Sequence, residues 1–253
     1  MRHHLTEKLL ENVMRSIPFL VRKLIGKGAT LAPDYCIITM KSAGVEAERR
    51  EWKSVSPLEF AAWSGDIEII DLLLKAIPSE YKPIALKQLS EVKTKGLEHG
   101  KFLAPIYALI EAHTTFEAKY KTKNVNERRA YCINTIGNLQ IKLTNFGLDW
   151  LCDNNPAVEK YKRPPSRVIA AGGESLLPLS RSEIGKTCFL ERFALPGSLF
   201  RSCWKTTISA GYFSESSRRR LEKICKASTE YLDQQILKLE NEIEADKTKS
   251  LRV

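Results

Sequence analysis

The stretch that decides the fold is Ser56-Pro57-Leu58-Glu59-Phe60-Ala61-Ala62-Trp63-Ser64-Gly65-Asp66-Ile67-Glu68-Ile69-Ile70-Asp71-Leu72-Leu73-Leu74-Lys75. It predicts two short helices, the first over 57–64 and the second from Ile67 to about position 76. Ser56 is a good N-cap, and the proline after it suits the first position of a helix. Gly65 ends the first helix, and Asp66 is placed to cap the second. We therefore expect a helix pair hinged at Gly65.

A similar unit lies upstream, within residues 5–25. Its apolar residues recur in steps of three, four and seven, which indicates buried helical faces: Leu5, Leu9, Leu10, Val13, Ile17, Leu20, Val21, Leu24 and Ile25. Pro18 interrupts the run, and we predict that it opens a second short helix. Gly28 then ends that helix in the left-handed conformation. Both units share one plan: a short helix, a tight turn, and a second short helix with a double apolar finish.

The second unit resembles the ankyrin repeat. Ser56-Pro57-Leu58-Glu59 matches the Thr-Pro-Leu-His start of that family, Ala61–Ala62 matches its paired small residues, and the stretch after Gly65 matches its apolar second helix. The first unit keeps the family's ending in Leu24-Ile25-Gly26-Lys27-Gly28-Ala29. Glu59 replaces the family histidine, which puts that residue's usual hydrogen bond with the capping hydroxyl in doubt.

The resemblance implies an all-α fold, a short stack of ankyrin-like helix pairs capped by a helical C-terminal region. Residues 1–122 form the ankyrin-like region, and a long insert at about 31–54 separates its first two units. A third, degenerate unit is predicted to begin at Ala104-Pro105-Ile106-Tyr107-Ala108-Leu109. Residues 123–253 form the C-terminal region, with an irregular segment at 153–187 and a long helix at about 215–246. Because stacked repeats need neighbours to bury their core, we expect this region to cover the stack.

Few, irregular ankyrin units joined to a helical region are also similar to the ankyrin-type effectors that intracellular bacteria such as Legionella and Coxiella secrete into host cells. The glutamate-rich stretch 239–246 resembles the acidic tails of substrates of their type IV secretion system. An ordinary charged helix end is the other interpretation of that stretch. The resemblance implies a protein of the cytoplasm that is translocated into a host cell.

The function that the resemblance implies is non-enzymatic binding of a protein partner. In the family, the variable surface lies on the first helix of each unit and on the adjoining loop tips. Trp63 occupies such a variable position, Glu59 matches the histidine position next to it, and Trp52 lies in the preceding insert. An exposed tryptophan is a typical interface anchor, so these three residues are the predicted partner site. The alternative is that both tryptophans pack beneath the insert.

The charge of the chain suggests a second kind of partner. Its 253 residues carry a formal net charge of +10, and one dense run is Arg218–Arg219–Arg220. We predict that this run, near the start of the long helix, binds an anion: a phosphate or an acidic partner. Binding of nucleic acid or anionic lipid through the basic C-terminal half is an alternative function. The bland interpretation is that the basic residues line solvated faces.

Signals for catalysis are weak. Ser180-Arg181-Ser182-Glu183-Ile184-Gly185-Lys186-Thr187 lacks the first glycine of a phosphate-binding loop. The six cysteines show no zinc spacing with the four histidines, and they are expected to be free thiols in a reducing compartment. We predict no catalytic residue, no cofactor and no metal. A small enzyme domain within 126–246, targeted by the ankyrin units, remains the alternative; its sign would be a pocket joining Cys, His and Asp. No apolar stretch is long enough to span a membrane, and the first residues show no signal peptide.

Overall fold

The computed structural model describes residues 2–29, 38–41, 51–120, 122, 124–137, 139, 142–144 and 207–250. These residues are mainly helical, so the predicted fold class is confirmed. The irregular segment predicted at 153–187, which holds the near-match to a phosphate-binding loop, lies outside the described residues.

Two helix pairs open the chain, as predicted. The first pair consists of α1 (Arg2–Met14) and α2 (Pro18–Gly26), and the second of α3 (Pro57–Ser64) and α4 (Ile67–Ala76). The hinge of the second pair is Gly65, whose φ of 76° is the left-handed conformation that favours glycine. Asp66 caps α4 through its carboxylate, which accepts a hydrogen bond from the backbone N–H of Ile69 at 3.2 Å.

The two pairs stack in register. Helix α1 packs against α3, and α2 packs against α4, so equivalent helices form two layers. Helix α5 (Lys82–Lys95), which follows a 3₁₀ turn at Ser79–Tyr81, packs against α3. The first layer is therefore α1–α3–α5. The third unit was predicted to begin at Ala104, where α6 (Ala104–Lys119) starts. That assignment is wrong for the stack, since α5 takes the place beside α3.

The partner of α5 comes from far along the chain. After α7 (Val125–Tyr131) and a π-helical turn (Cys132–Gly137), the longest helix, α8, spans Thr207–Ser250. It packs on α6, α5 and α4. Lys82 at the start of α5 pairs with Glu242, and Lys93 near its end pairs with Asp233, so α5 and α8 run antiparallel. Helix α8 thus completes the third pair, and the second layer is α2–α4–α8.

The long helix joins two apolar clusters. The larger cluster lies inside the stack and includes Leu232 and Leu239 of α8. The smaller cluster lies between α6 and α8, where Leu109 and Phe116 meet Leu221. Helix α8 therefore contributes to both apolar clusters in the described part of the chain. The helix predicted at 215–246 is confirmed, and it begins earlier, at Thr207.

The insert between the first two units contains a small sheet. Strands β1 (Ile38–Lys41) and β2 (Glu51–Val55) pair antiparallel, with Met40 opposite Trp52. The sequence predicted only a looped-out insert at this place. Strand β2 leads directly into Ser56, so the sheet fixes the entry to α3.

Candidate interaction surfaces

The two tryptophans predicted as exposed anchors are buried. Trp52 and Trp63 are each 1% exposed. The ring of Trp52 meets those of Phe60, Trp63 and His99 edge-on, at centroid distances of 5.1, 5.0 and 4.4 Å. The indole N–H of Trp63 donates to the carbonyl oxygen of Gly100 at 2.9 Å. As exposed anchors the two residues were predicted wrongly, because strand β2 lays Trp52 over α3 and closes that face.

Glu59, the third predicted partner residue, is used inside the chain. Its carboxylate accepts a hydrogen bond from the backbone N–H of Ser56 at 2.7 Å, and its own N–H donates to the Ser56 hydroxyl oxygen at 3.0 Å. This reciprocal arrangement is a capping box. The same hydroxyl donates to Oε1 of Gln88 on α5 at 3.2 Å. The carboxylate therefore takes over the capping role that the sequence left in doubt.

Arg218, predicted to bind an anion, is paired within the chain. Its guanidinium lies 3.0 Å from the Glu117 carboxylate and 2.6 Å from that of Glu222. The hydrogen bond to Glu222, with Glu117 also close, raises the pKa of Arg218. Because α8 begins at Thr207, the basic run lies about three turns inside the helix. A free anion site at a helix N-terminus is thus a wrong prediction for Arg218, whereas for Arg219 and Arg220 anion binding stays a prediction.

Two titratable groups are buried between α6 and α8. His113 is 1% exposed, and burial, with Arg218 nearby, lowers its pKa to about 4. Burial raises the pKa of the Cys225 thiol to about 12, against the opposing effect of a hydrogen bond with Tyr107. Both groups are therefore uncharged at neutral pH, and both serve the packing of α8 on α6.

One helix turns an aromatic ring and unpaired cations to solvent. The exposed positions of α2 and its end are spaced by three and four residues, and we call them the basic stripe: Phe19, Arg22, Lys23, Gly26 and Lys27. Phe19 is 70% exposed, whereas Pro18 and Val21 on the other side of α2 are buried. Within the described part of the chain, no ion pair involves the three cations of the stripe.

The sequence held the signal for this stripe. The apolar positions that define the inner face of α2 are Leu20, Val21, Leu24 and Ile25, and Phe19 falls outside that set. An aromatic residue off the apolar face, with basic residues three and four positions later, indicates an outward-facing ring. Trp52 and Trp63 were predicted as the anchors instead.

The described residues show neither a metal site nor a membrane-spanning helix. They contain no group of three or more His, Cys, Asp or Glu side chains that could hold a metal ion. None of the helices in the described ranges is long and apolar enough to cross a membrane. Asp149, Cys152 and Asp153, which fall in the alternative enzyme domain at 126–246, lie outside the described residues. Comparison with models of known protein families, with curated protein sequences and with solved structures finds no match to this chain.

Proposed function

We propose that this chain is a non-enzymatic protein-binding scaffold and that the basic stripe of α2 is its docking surface. The observation that carries the proposal is Phe19, a large aromatic side chain that is 70% exposed on a helix whose other side is buried. Aromatic anchors of this kind dominate the binding energy of protein interfaces. The resemblance to ankyrin repeats supports the same function, since their stacked helix pairs present surfaces to protein partners.

The stripe is held by a rigid support. Val21 is fully buried, and α2 packs against both α1 and α4. At its end, the N–H of Gly28 donates to the carbonyl of Ile25 at 2.9 Å, and that of Ala29 donates to the carbonyl of Leu24 at 3.1 Å. A helix fixed in this way loses little conformational entropy when a partner docks, which favours affinity.

The charge of the stripe defines the chemistry of the partner. Arg22, Lys23 and Lys27 follow Phe19 on the exposed side of α2, and the stripe contains no carboxylate. The complementary partner presents acidic side chains around an apolar pocket that accepts a phenyl ring. Electrostatic attraction of this kind accelerates association and weakens with added salt.

Affinity capture with the full chain tests the proposal. Phe19→Ala is expected to lower the amount of every specifically bound protein by about tenfold, since an anchor residue contributes more than about 1 kcal/mol. Tyr107→Ala is the control for loss of another exposed aromatic ring, on α6, although it also removes the hydrogen bonds of Tyr107 with Cys225 and Thr229. Both variants should keep the circular dichroism of the parent. Equal capture by Phe19→Ala and by the parent would refute the assigned surface.

We further propose, from the resemblance to ankyrin-type effectors, that the bound protein belongs to a host cell. A reporter enzyme fused to the chain should then be active inside host cells infected by a bacterium with a working type IV secretion system. The same fusion in a strain without that system should give no signal. Equal signals from the two strains would contradict delivery by this route.

A further inference from the structure

The two ends of the second layer carry opposite charge. Helix α2 packs on α4, and α4 packs on α8, so α2 and α8 are the terminal members of this layer. The α2 end bears the basic stripe. At the α8 end, residues 230–246 contain six carboxylates and one lysine; Asp233 and Glu242 pair with lysines of α5, and Glu230, Glu240 and Glu244 are exposed. The molecule therefore presents complementary surfaces on two different helices.

The outer side of α8 combines this charge with an exposed apolar side chain. We call it the acidic face, and it consists of exposed residues on the side away from the core: Gln234, Leu237, Glu240, Asn241, Glu244 and Ala245. Leu237 is 58% exposed, whereas Leu232 and Leu239 on the other side are buried. Leu237 lines an open groove together with Gln234, Asn241 and Ala245, and Lys238 and Glu242, whose ammonium nitrogen and carboxylate oxygen lie 3.9 Å apart, line it too.

The shapes of the two surfaces also match. Each helix presents a row of exposed side chains four residues apart, the spacing by which the ridges of one helix pack into the grooves of another. On α8 the row is Leu237, Asn241 and Ala245, and on α2 it begins with Phe19 and Lys23. The short side chains that follow Leu237 leave room for a phenyl ring.

We infer that the chain binds a second copy of itself head to tail, with the basic stripe of one molecule on the acidic face of the next and Phe19 against Leu237. The inference rests on the proposed function, since it uses the same stripe, which stays free for another protein at the end of a row of copies. Because the contact joins two different surfaces, a chain of copies always keeps a free stripe at one end and a free acidic face at the other. The contact extends the layer α2–α4–α8 into the neighbouring molecule.

Sedimentation of the purified full chain tests the inference. The average mass should rise with protein concentration at low salt and return to that of one chain at high salt. Arg22→Glu breaks the stripe, and Glu240→Lys breaks the acidic face. Each variant alone should associate at least about tenfold more weakly than the parent, because like charges then face each other. Lys119→Glu, a reversal at an exposed position on α6, is the control and should associate as the parent does.

Mixing the two variants tests whether the stripe binds the acidic face. Arg22→Glu keeps an intact acidic face and Glu240→Lys keeps an intact stripe, and the two altered surfaces again carry opposite charges. An equimolar mixture should therefore recover the association that each variant alone has lost. A mixture that stays at the mass of one chain, or a parent that never exceeds that mass, would overturn the inference. If the parent stays monomeric while capture of other proteins depends on Phe19, self-association is excluded and the scaffold proposal stands.

Discussion

Adding one methyl group at Gly65 tests how closely α8 packs on the α3–α4 turn. A Cβ atom at Gly65 would lie 2.7 Å from Cδ2 of Leu103 and 2.8 Å from Oγ of Ser228. Gly65→Ala therefore combines backbone strain at a positive φ with crowding against Leu103 and against Ser228 of α8. The strain amounts to about 1–2 kcal/mol, and overpacking adds about 1–3 kcal/mol. We expect the free energy of unfolding to fall by about 2–5 kcal/mol in total.

A second glycine isolates the backbone contribution. Gly28 has a φ of +80°, close to that of Gly65, but a Cβ there would meet nothing within 4 Å. Gly28→Ala should therefore lose only the strain, about 1–2 kcal/mol. Urea unfolding, followed by circular dichroism and by tryptophan fluorescence, gives both losses. The excess in Gly65→Ala reports how closely Leu103 and α8 pack against the turn.

A double-mutant cycle with Ser228 assigns the excess to α8. The Ser228 hydroxyl donates to the Gly65 carbonyl oxygen at 3.0 Å, so Ser228→Ala alone should lower stability by about 1 kcal/mol. In combination with Gly65→Ala, Ser228→Ala also removes the oxygen that crowds the new methyl group. The double variant should therefore lose about 1 kcal/mol less stability than the sum of the two single losses. Equal losses in Gly65→Ala and Gly28→Ala, or strict additivity in the cycle, would refute the packing of α8 on this turn.

Two further predictions concern the buried titratable groups. The pKa of His113 is about 4 in the folded chain and near 6.5 in the unfolded chain, so the free energy of unfolding should fall by about 2 kcal/mol as the pH drops from 7 to 5. Urea unfolding of His113→Gln should lack this loss. The same pH profile in His113→Gln and the parent would contradict the assignment. Burial raises the pKa of the Cys225 thiol to about 12, so this thiol should resist alkylation at pH 8 in the native chain and react in urea. Peptide mapping by mass spectrometry measures both rates, and native labelling as fast as that of a free thiol would contradict the burial.

The parts of the fold that the sequence predicted depend on local signals. Ser56, Gly65 and Asp66 act within a few residues of their own position, so the bounds of α3 and α4 follow from side-chain capping and from the freedom of glycine. The position of Pro18 fixed the start of α2 in the same way. Each of these residues performs in the structure the role that its chemistry predicts.

The parts that the sequence missed depend on distant partners. Helical periodicity identifies the apolar side of α8 but not the helices it covers, so its pairing with α5 could not be inferred. The burial of Trp63 depends on Trp52, which arrives from a sheet that the insert's residues did not reveal. The exposed Phe19 could have been predicted, because its neighbours already define the inner side of α2.

The late arrival of α8 has a consequence for how the chain is made. Lys82 and Glu242, which hold the third pair together, lie 160 positions apart. During synthesis from the N-terminus, α5 leaves the ribosome long before α8 exists, and its apolar side waits uncovered. A chain cut before position 207 lacks α8, so we expect it to be prone to aggregation and to bind chaperones. Closing so distant a contact also makes for slow folding.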